Sequence, residues 1–548
     1  MTVQHKPFAI TLDVGSSHLN KTGSWRSMRP VYVDRLPPCN KACPSGENIQ
    51  GWLSLAEEKD YQGAWRLLTR DNPFPAVMGR VCYHPCENTC NRGQLDVPVG
   101  INSVERFIGE QGLSHNWQFH AGEDTGKKVM VIGAGPAGLA AAYHLRLLGH
   151  QVTIFDAAEK PGGMMRYGIP KYRLPREKLN AEIYRIEQMG VTLVLNHAID
   201  NIERSQQEGN FDAVVVAIGA QKSTHIDFSG QSSIPILDAL SVLRAIEMEK
   251  RNPLIGRVVV YGGGNSAMDV ARTAIRMGAQ DVTVISRQEE AHMSAHPFEI
   301  KEALEEGAQL LCLRAITEIN GQVITLERLK TSEEHHSGHS HGVATGELET
   351  ISADVVVLAI GQVLDDDFLS ATPNIVVKNH TIEVNNIMQT GQDGIFAIGD
   401  AVPSQRSVTT ALGHGKKVAR AIHAWLDGNT YQPAPQNEVV TFDKMEPWYY
   451  SDAPRTVQPH LESMRRKNGF AEVLGDLDQE HATYEARRCM SCGNCFECDN
   501  CYGICPDNAI TKLGAGKGFE FKYDYCKGCG MCEAECPCGA IAMVTEDI

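Results

Sequence analysis

One hydrophobic pattern occurs twice along the chain. An apolar, β-branched run over 129–132 precedes a glycine-rich turn and an alanine- and leucine-rich segment, and a second apolar run follows over 151–155. The same order recurs over 257–261, 265–277 and 282–286. Short apolar runs that alternate with helical stretches are typical of β-α-β units in a parallel sheet. The pattern therefore predicts an α/β protein of several domains with two such units.

Other apolar runs extend this picture. FDAVVVAIG over 211–219 and VVVLAIG over 355–361 are predicted as buried strands that end in glycine. GIFAIGD over 394–400 has the same form but ends in an acid, and a helix is predicted soon after it. A helical period over 49–68 predicts a separate helical segment upstream of the first β-α-β unit.

Length and charge narrow the class of protein. With 548 residues and 60.1 kDa, the chain is too long for one core and predicts roughly three to five domains. The formal net charge of -16 argues against nucleic acid or an anionic membrane surface as a partner, because both would repel it. No signal peptide and no long apolar window are found, so we expect a cytoplasmic protein without a membrane span.

The 17 cysteines are concentrated in two blocks, which in a large chain without a secretion signal indicates metal centres more than disulfides. The N-terminal block contains Cys39, Cys43, Cys82, Cys86 and Cys90. Four thiolates can hold one cubane iron–sulfur cluster, and five cysteines make a second cluster difficult. A zinc site is the alternative for this block.

The C-terminal block has the spacing of a two-cluster ferredoxin. The motif C-x₂-C-x₂-C-x₃-C-P occurs twice, with a hairpin-like KGFEFKYDY between the copies. In such proteins the fourth cysteine of each copy binds the other cluster. One cluster is thus assigned to Cys495, Cys498, Cys501 and Cys536, and the other to Cys526, Cys529, Cys532 and Cys505. Three cysteines are left over, as packing thiols or as competitors for the first of these clusters: Cys489, Cys492 and Cys538.

The first glycine-rich turn has the form G-x-G-x-x-G. Gly133 permits a tight turn, Gly135 lets the backbone approach a pyrophosphate, and Gly138 lets the helix pack on the strand. Asp156 follows the second strand, where a carboxylate can accept from an adenosine ribose hydroxyl. We interpret the unit as an FAD site, with the loop 161–175 close to the flavin ring. A glycine turn that binds no nucleotide is the alternative.

The second turn, with three consecutive glycines from Gly262 to Gly264, predicts a second dinucleotide site. Two such units in one chain indicate nucleotide binding more specifically than one unit does. The second strand here ends next to Arg287 rather than an acid, and a cation at this point suits a 2′-phosphate or stacks on adenine. Because a firm phosphate clamp would use two arginines, we favour NAD(H) over NADP(H).

Two polar segments each have two interpretations. Asp400 can accept from the ribityl hydroxyls of the flavin, or it can be an ordinary helix N-cap. The run 333–342, EEHHSGHSHG, contains four histidines that can bind a metal, although a solvated loop is favoured.

The motifs GAGPAG, GGMMRYGIP, GGGNSAMD, AIGDA and ALGHGKKVA occur in this order within about 35–430. In combination they make this region resemble the small subunit of glutamate synthase and its relatives. The resemblance implies an N-terminal helical iron–sulfur domain, then two Rossmann-like FAD and NAD(P) domains, with the FAD domain discontinuous and completed around Gly399 and Asp400. Glutamate synthesis is not implied, because the ferredoxin tail is foreign to that subunit.

The resemblance also implies particular residues. Candidate FAD positions are Gly133, Gly135, Pro136, Ala137, Gly138, Asp156, Gly163, Arg166, Gly219, Gly399, Asp400, Thr410 and Ala411. Candidate NAD(P) positions are Gly262, Gly264, Asn265, Ser266, Arg287 and Gly361. One N-terminal cluster matches Cys43, Cys82, Cys86 and Glu105, whereas a second would need Cys39, Cys90 and two upstream cysteines that this chain lacks. We therefore expect three [4Fe-4S] clusters in all.

Both ends of the chain suggest a partner. The tail resembles that of several electron-transfer relatives, and the arm KTGSWRSMRP is similar to the start of the ferredoxin-type subunit of 2-oxoacid:ferredoxin oxidoreductases, where it docks onto catalytic chains. The combination implies a subunit that takes electrons from thiamine-diphosphate 2-oxoacid oxidoreductase chains, such as those of phenylglyoxylate dehydrogenase, and reduces NAD. A tail that lies on its own protein is the alternative for the arm.

The expected function is hydride exchange between NAD(H) and FAD, with single electrons passing between FAD and the clusters. No catalytic acid, base or nucleophile is required, because the cofactors carry the chemistry. The alternatives are an NADPH-dependent electron donor and a non-catalytic assembly or sensor module; a disulfide reductase is set aside because only Cys312 lies between 91 and 488. The expected divisions are a docking arm 1–34, an iron–sulfur domain 35–122, an FAD domain 123–230 and 385–430, an NAD(P) domain 231–384, a linker 431–488 and an α+β bacterial-type ferredoxin domain 489–548.

Overall fold

The computed structural model describes residues 21–249, 253–331, 342–372 and 374–546. The histidine-rich run 333–342 therefore lies outside the described residues except for its last glycine.

The first part of the chain, the helical unit, consists mainly of short helices. Its elements are β1 (Met28–Tyr32), α1 (Pro38–Ala42), α2 (Ile49–Glu57), α3 (Tyr61–Thr69), α4 (Pro75–Val81), α5 (Pro85–Asn88) and α6 (Ile101–Ser114). The side chains of Asn48 and Asp60 accept from backbone N–H groups and begin α2 and α3. Helices α2, α3 and α6 enclose a core around Trp52, Leu68 and Ile108.

The first β-α-β unit follows directly. Its elements are β2 (Lys128–Ile132), α7 (Pro136–Leu147), β3 (Gln151–Phe155), α8 (Met164–Tyr167), α9 (Arg176–Glu187), β4 (Thr192–Val194), α10 (Ile202–Gly209), β5 (Ala213–Val216) and β6 (Lys222–Ser223). The predicted strands thus exist, with the one predicted over 211–219 shortened to the four buried residues of β5.

The second unit has the same plan. Its elements are β7 (Ile236–Asp238), α11 (Ala239–Glu247), β8 (Arg257–Tyr261), α12 (Asn265–Arg276), β9 (Asp281–Ile285), α13 (Pro297–Glu306), β10 (Gln309–Leu311), β11 (Arg314–Asn320), β12 (Val323–Lys330), β13 (Val343–Ser352), β14 (Val355–Leu358) and β15 (Gln362–Val363). In the described residues β10-β9-β8-β14-β7 form a parallel sheet, and β11-β12-β13 form an antiparallel layer beside it.

The chain then returns to the first unit through β16 (Val377–Lys378), β17 (Thr381–Ile382), β18 (Ile395–Ala397) and α14 (Val408–Leu426). Strand β18 pairs in parallel with β5 and completes the sheet order β18-β5-β2-β3-β4, so the first unit is discontinuous as predicted. Leu364 and Ile382 already pack in the core of Met130 and Val214. The return therefore begins before the predicted boundary at 385.

The last part of the chain contains α15 (Ser463–Lys467), α16 (Gln479–Arg487), α17 (Asn500–Ile504), β19 (Ile510–Lys512), β20 (Phe519–Phe521), α18 (Met531–Ala534) and β21 (Ile541–Thr545). The segment 431–488 differs from the predicted linker, because α16 packs on α2 and α6 and buries Ala482 and Ala486 in the core of the helical unit. Residues 479–492 thus belong to that unit by packing, although they lie far away in sequence.

The described part of the N-terminal arm lies on the same chain. Strand β1 pairs antiparallel with β21, with Met28 opposite Thr545 and Tyr32 opposite Ile541. The Thr22 hydroxyl donates to the Tyr525 carbonyl, and Tyr32 stacks on Phe521. Residues 21–32 therefore lie on their own protein, and one edge of β1 is occupied by β21. Docking of the arm onto another chain stays a prediction.

Candidate functional site

One cavity of about 780 Å³ lies between the two β-α-β units. Both glycine-rich turns line it, together with the loop after β3 and the start of α14. Parallel sheets bind ligands at the carboxyl ends of their strands, and here two such edges face the same space. The predicted residues that line it are Gly133, Gly135, Pro136, Ala137, Asp156, Gly163, Gly219, Gly262, Gly264, Asn265, Ser266, Arg287, Gly361, Gly399, Asp400 and Ala411.

The first turn leaves room for a phosphate. Gly133 has φ +110°, and a Cβ there would meet the Ala217 carbonyl at 2.4 Å. A Cβ on Gly135 would instead point into open space, with only the Gly163 Cα within 4 Å, at 3.9 Å. This open position at the start of α7 fits a pyrophosphate, which the helix N-terminus favours electrostatically.

Two carboxyl groups lie at the cavity wall. Asp156 accepts from the backbone N–H groups of Ala134 at 2.6 Å and Ala158 at 2.7 Å, which hold it at the end of β3. Burial raises the pKa of the Asp400 carboxyl, and Arg406 partly offsets this rise. Ser407, not Asp400, caps α14, so the N-cap interpretation of Asp400 is wrong. Both carboxyl groups have lone pairs left for ribose or ribityl hydroxyls.

Three predicted FAD residues do not line the cavity. A Cβ on Gly138 would meet the Gly133 carbonyl at 1.9 Å, so this glycine serves helix–strand packing. The Arg166 guanidinium points away and donates to the Pro161 carbonyl and to Asn180 at 2.6 Å each. Thr410 lies in the capping turn of α14, where its N–H donates to Ser407 at 3.1 Å.

The second turn is built in the same way. Gly262 has φ +148°, and a Cβ there would meet the Ala359 carbonyl at 2.2 Å. The Asn265 side chain accepts from the His296 N–H at 2.9 Å, which fixes the first turn of α12. Arg287 is exposed at the end of β9 and lines the cavity. Its position fits the adenosine half of a dinucleotide.

An ion-pair group that the sequence did not reveal joins the two units. Arg173, between α8 and α9, pairs with Asp269 at 2.8 Å and with Glu299 at 2.5 Å, both in the second unit. Arg173 and Asp269 also line the cavity. Burial opposes the charge of Arg173, but the two carboxylates outweigh this and raise its pKa. Asp269 ends the GGGNSAMD motif and Arg173 lies in the loop 161–175, but only the fold brings the two residues together.

The predicted N-terminal cluster residues share a small apolar cavity. It is lined by Cys43, Cys82, Cys86 and Glu105, together with Glu47, Met78 and Thr409. Glu105 is buried on α6 and accepts from Asn72 at 2.7 Å, and Asn72 also donates to Glu47. Burial first, and then the charge of Glu47, raise the pKa of Glu105. Three thiols and a carboxyl fit the donor set expected for this site.

This thiol site adjoins the large cavity. Val81 and Tyr83 line the cavity on either side of Cys82 in sequence. The Thr409 hydroxyl, on α14, donates to the Cys82 sulfur at 3.1 Å, while its neighbour Val408 lines the cavity. A single layer of residues therefore separates the two sites.

Lys416, on α14, contacts the helical unit. Its ammonium donates to the carbonyls of Ser45 and Gly46 at 2.8 and 3.0 Å and pairs with Asp71 at 2.6 Å. It thus fastens α14 to the helical unit.

The other two N-terminal cysteines share a cavity with two cysteines from the far end of the chain. Cys39, Cys90, Cys489 and Cys492 line it, with Leu53, Val99 and Ile101 as apolar wall. Burial and the nearby thiols of Cys489, Cys90 and Cys492 raise the pKa of Cys39. Cys489 and Cys492 are therefore not competitors for a ferredoxin cluster. The resemblance requires two further cysteines upstream of Cys39, which this chain lacks. In the structure, Cys489 and Cys492 lie beside Cys39 and Cys90 instead.

The C-terminal motif folds as a ferredoxin-like unit. Cys505, Cys526, Cys529 and Cys532 line one cavity, as the crossed assignment requires. Cys501 and Cys536, two members of the other predicted set, lie in one buried core. Burial and, after it, the nearby Cys495, Cys498 and Cys536 raise the pKa of Cys501. The N–H groups of Ala509 and Ala540 donate to the sulfurs of Cys505 and Cys536, both at 3.3 Å. The two halves are thus pseudo-symmetric.

Cys538 lies next to the set that contains Cys536. Its buried thiol lies 3.8 Å from the Cys536 sulfur. The contact between the two sulfurs lowers the pKa of Cys536 and raises that of Cys538. Cys538 therefore packs against a candidate ligand.

Among the described residues, no three His, Cys, Asp or Glu side chains are arranged to hold a single metal ion. A zinc ion would hold its thiolates at about 2.3 Å, whereas a cubane spreads its four thiolates over separate irons. In the part of the chain that the structure describes, no helix is both long and apolar enough to span a bilayer.

Family models match three regions of the chain. The model of the pyridine nucleotide-disulphide oxidoreductases covers residues 127–415, more than half of the chain. The model of dihydropyrimidine dehydrogenase domain II, 4Fe-4S cluster, covers residues 29–117, and that of the 4Fe-4S dicluster domain covers 494–540. The fold and the sites define a FAD-dependent NAD(P)H oxidoreductase with iron–sulfur domains at both ends.

The chain belongs to the pyridine nucleotide-disulphide oxidoreductase family. It is 34% identical to the NADP(+)-dependent formate dehydrogenase subunit beta of Moorella thermoacetica, over 83% of this chain and 70% of that protein. It is 31% identical to the NADPH-Fe(3+) oxidoreductase subunit beta of Geobacter sulfurreducens, over 84% and 76%. It is 33% identical to the NAD-dependent dihydropyrimidine dehydrogenase subunit PreT of Escherichia coli O157:H7, over 71% and 91%. The predicted fold class and enzyme class are confirmed.

Proposed function

We propose that the chain is the electron-transfer subunit of a larger complex, exchanging hydride between NAD(H) and FAD and single electrons between FAD and [4Fe-4S] clusters. The observation that carries the proposal is the shared cavity, which both glycine turns line and which adjoins the thiol site of Cys82. When bound, FAD supplies the exchange between a two-electron and a one-electron carrier.

The residues of this chain bind and orient the cofactors. Gly135 leaves the space for the FAD pyrophosphate, and Asp156 and Asp400 hold sugar hydroxyls. Gly264 and Asn265 begin the helix that faces the nicotinamide dinucleotide phosphates. No side chain is required as a proton donor or nucleophile.

The ion pairs of Arg173 set the distance between the two nucleotide units. Arg173 contacts Asp269 and Glu299 in the second unit while its own loop lines the cavity. Because these charges are buried, their pairing is costly to break and keeps the two units in one orientation. This orientation directs both glycine turns toward the same space.

We propose that three sets of residues hold [4Fe-4S] clusters: Cys43, Cys82, Cys86 and Glu105; Cys495, Cys498, Cys501 and Cys536; and Cys505, Cys526, Cys529 and Cys532. The matched 4Fe-4S models over 29–117 and 494–540 support these assignments. Soft thiolates suit iron–sulfur clusters. The first and the third set line largely apolar cavities, and Glu105 adds one carboxylate to the first set.

NAD(H) is the proposed nicotinamide cofactor. Arg287 is a single cation at the end of β9, followed by Gln288, and a 2′-phosphate would favour a second one. NADPH-dependent electron donation is the second candidate, because two of the relatives carry NADP(+) or NADPH in their names.

The proposed partner is a set of thiamine-diphosphate 2-oxoacid oxidoreductase chains, and a cytoplasmic location remains a prediction from the sequence. Relatives named as subunits support a multi-subunit complex. Residues 21–32 already pair with β21. The ferredoxin-like unit is therefore the remaining support for this partner, and identifying the proteins that co-purify with the native chain tests it.

Anaerobic rapid mixing with NADH or NADPH tests the cofactor choice. We expect faster bleaching of the flavin by NADH, and a loss of about tenfold in kcat/KM for NADH in Arg287→Ala, equivalent to one stacking or charge-assisted contact. Arg328→Ala, on the surface pair with Glu349, serves as the control. If Arg287→Ala abolishes NADPH turnover alone, the chain prefers NADPH.

A further inference from the structure

We propose a fourth [4Fe-4S] site, formed by Cys39 and Cys90 of the helical unit with Cys489 and Cys492 from the far end of the chain. All four line one cavity of the helical unit. The site itself does not depend on the proposed hydride exchange; its use in electron transfer does.

The cysteine pattern supports four complete sets. The three proposed sets use eleven cysteines and Glu105, and six of the 17 cysteines remain. Four of these six line this one cavity, while Cys312 lies in the second β-α-β unit and Cys538 packs on Cys536. Each set then contains four donors, the number that a cubane requires.

The two distal cysteines are held by the helical unit. Arg488, which precedes Cys489, is buried and donates to the carbonyls of Ala453 and Pro98 at 3.1 and 3.2 Å, and it pairs with Glu485 at 2.6 Å. Glu485 in turn accepts from the Gly100 N–H at 2.6 Å. These contacts lock the end of α16 against the loop before α6.

The turn between the two cysteines is fixed as well. The Gln50 side chain, on α2, donates to the Ser491 hydroxyl at 2.8 Å. Ser491 has φ +49°, a left-handed conformation that bends the C-x₂-C segment back toward the cavity. The cysteine pair is thus positioned from the helical unit before the ferredoxin-like motif begins.

The chemistry favours an iron–sulfur cluster over zinc. Zinc sites with four cysteines usually combine two C-x₂₋₄-C knuckles. Here one C-x₂-C pair meets two single cysteines that lie 51 positions apart, Cys39 and Cys90. The 4Fe-4S model over 29–117 includes both single cysteines, and Leu53 and Val99 give the cavity an apolar wall.

The position of the site is suited to electron transfer between the other proposed clusters. Ile101 lines both this cavity and that of Cys82, and Cys39 and Cys43 lie four positions apart in the two cavities. On the other side, Cys492 and Cys495 are three positions apart and belong to this cavity and to the ferredoxin-like unit. A cluster at this site would stand between the cavity-side cluster and the ferredoxin pair.

Iron and acid-labile sulfide per FAD in the full-length, anaerobically purified chain test the proposal. We expect about sixteen irons per chain, and about twelve in Cys489→Ser/Cys492→Ser, because each cubane contains four. The variant should also lose the EPR signal of one reduced cluster. Cys39→Ser, on the opposite wall, should lose the same signal, whereas Cys538→Ser and Cys312→Ser should keep it.

Twelve irons in the unmodified chain, or twelve irons with one zinc, would overturn the proposal without any variant. The same follows if the double variant and Cys39→Ser lose different signals. Failure of NADH to reduce the flavin would refute the proposed function but leave the iron count as evidence for the site.

Discussion

The helical unit and the ferredoxin-like unit differ in where along the chain their candidate cysteine ligands come from. In the ferredoxin-like unit, eight candidate ligands come from residues 495–536, and their spacing alone assigns them to two sets. In the helical unit, the candidate ligands come from 39–105 and from 489–492. The comparison shows that when the ligands of a metal site come from remote segments, no single sequence motif contains the whole ligand set.

The largest expected effect concerns Arg488, which holds the remote segment in place. Arg488→Met would leave Glu485 buried without its partner, and breaking such a pair costs about 3–5 kcal/mol. We expect a lower unfolding temperature and a loss of about four irons. Calorimetry and iron analysis measure both effects.

Arg487→Met is the matched control for that experiment. Arg487 forms an exposed ion pair with Glu57 at 3.2 Å. Such surface pairs contribute about 0–1 kcal/mol to the free energy of unfolding. If both variants unfold at the same temperature and keep all their iron, the remote segment is not anchored by Arg488.

The second effect is confined to the ferredoxin-like unit. Cys505→Ser should remove about four irons and one EPR signal, and Cys501→Ser should remove a different signal, because the two residues belong to different sets. Shared loss of one signal would show that the fourth cysteines do not cross between clusters. Since all ligands here are local, the helical unit should keep its clusters in both variants.

The smallest effect concerns the Thr409 hydroxyl at the Cys82 sulfur. Thr409→Val removes one hydrogen bond of about 1 kcal/mol to a thiolate, which should lower the potential of that cluster by on the order of tens of millivolts. Potentiometric EPR titration measures the shift. Thr410→Val, one residue further on α14, should leave this potential unchanged; an equal shift in both variants would assign the effect to the helix instead.

The sequence predicts most of the nucleotide site because its determinants are local. The glycine-rich turns need residues without a side chain at fixed spacing, which a sequence pattern reveals. Three of these glycines line the cavity: Gly133, Gly135 and Gly262. The resemblance implies Arg166 as a flavin residue, but its guanidinium donates to Asn180 instead of lining the cavity. Spacing indicates where the backbone comes close to a ligand, but not where a long side chain points.

What the sequence does not predict depends on packing between distant segments. The contacts of Arg173 with Asp269 and Glu299 form only when the two units face each other. Cys489 and Cys492 look like surplus cysteines until α16 packs on α2 and α6. The segment 431–488 has little periodicity, so its helix and its anchoring are visible only in the fold.

The central claim is that electrons pass between the nicotinamide cofactor and the clusters through the flavin cavity. The most direct test compares the full-length chain with Gly135→Val, in which a branched side chain fills the space left for the pyrophosphate. The variant should keep its iron and lose its flavin. With NADH as the only reductant, we predict EPR signals of reduced clusters in the unmodified chain and none in the variant, although dithionite reduces both. Equal cluster signals from NADH in both proteins would contradict the account.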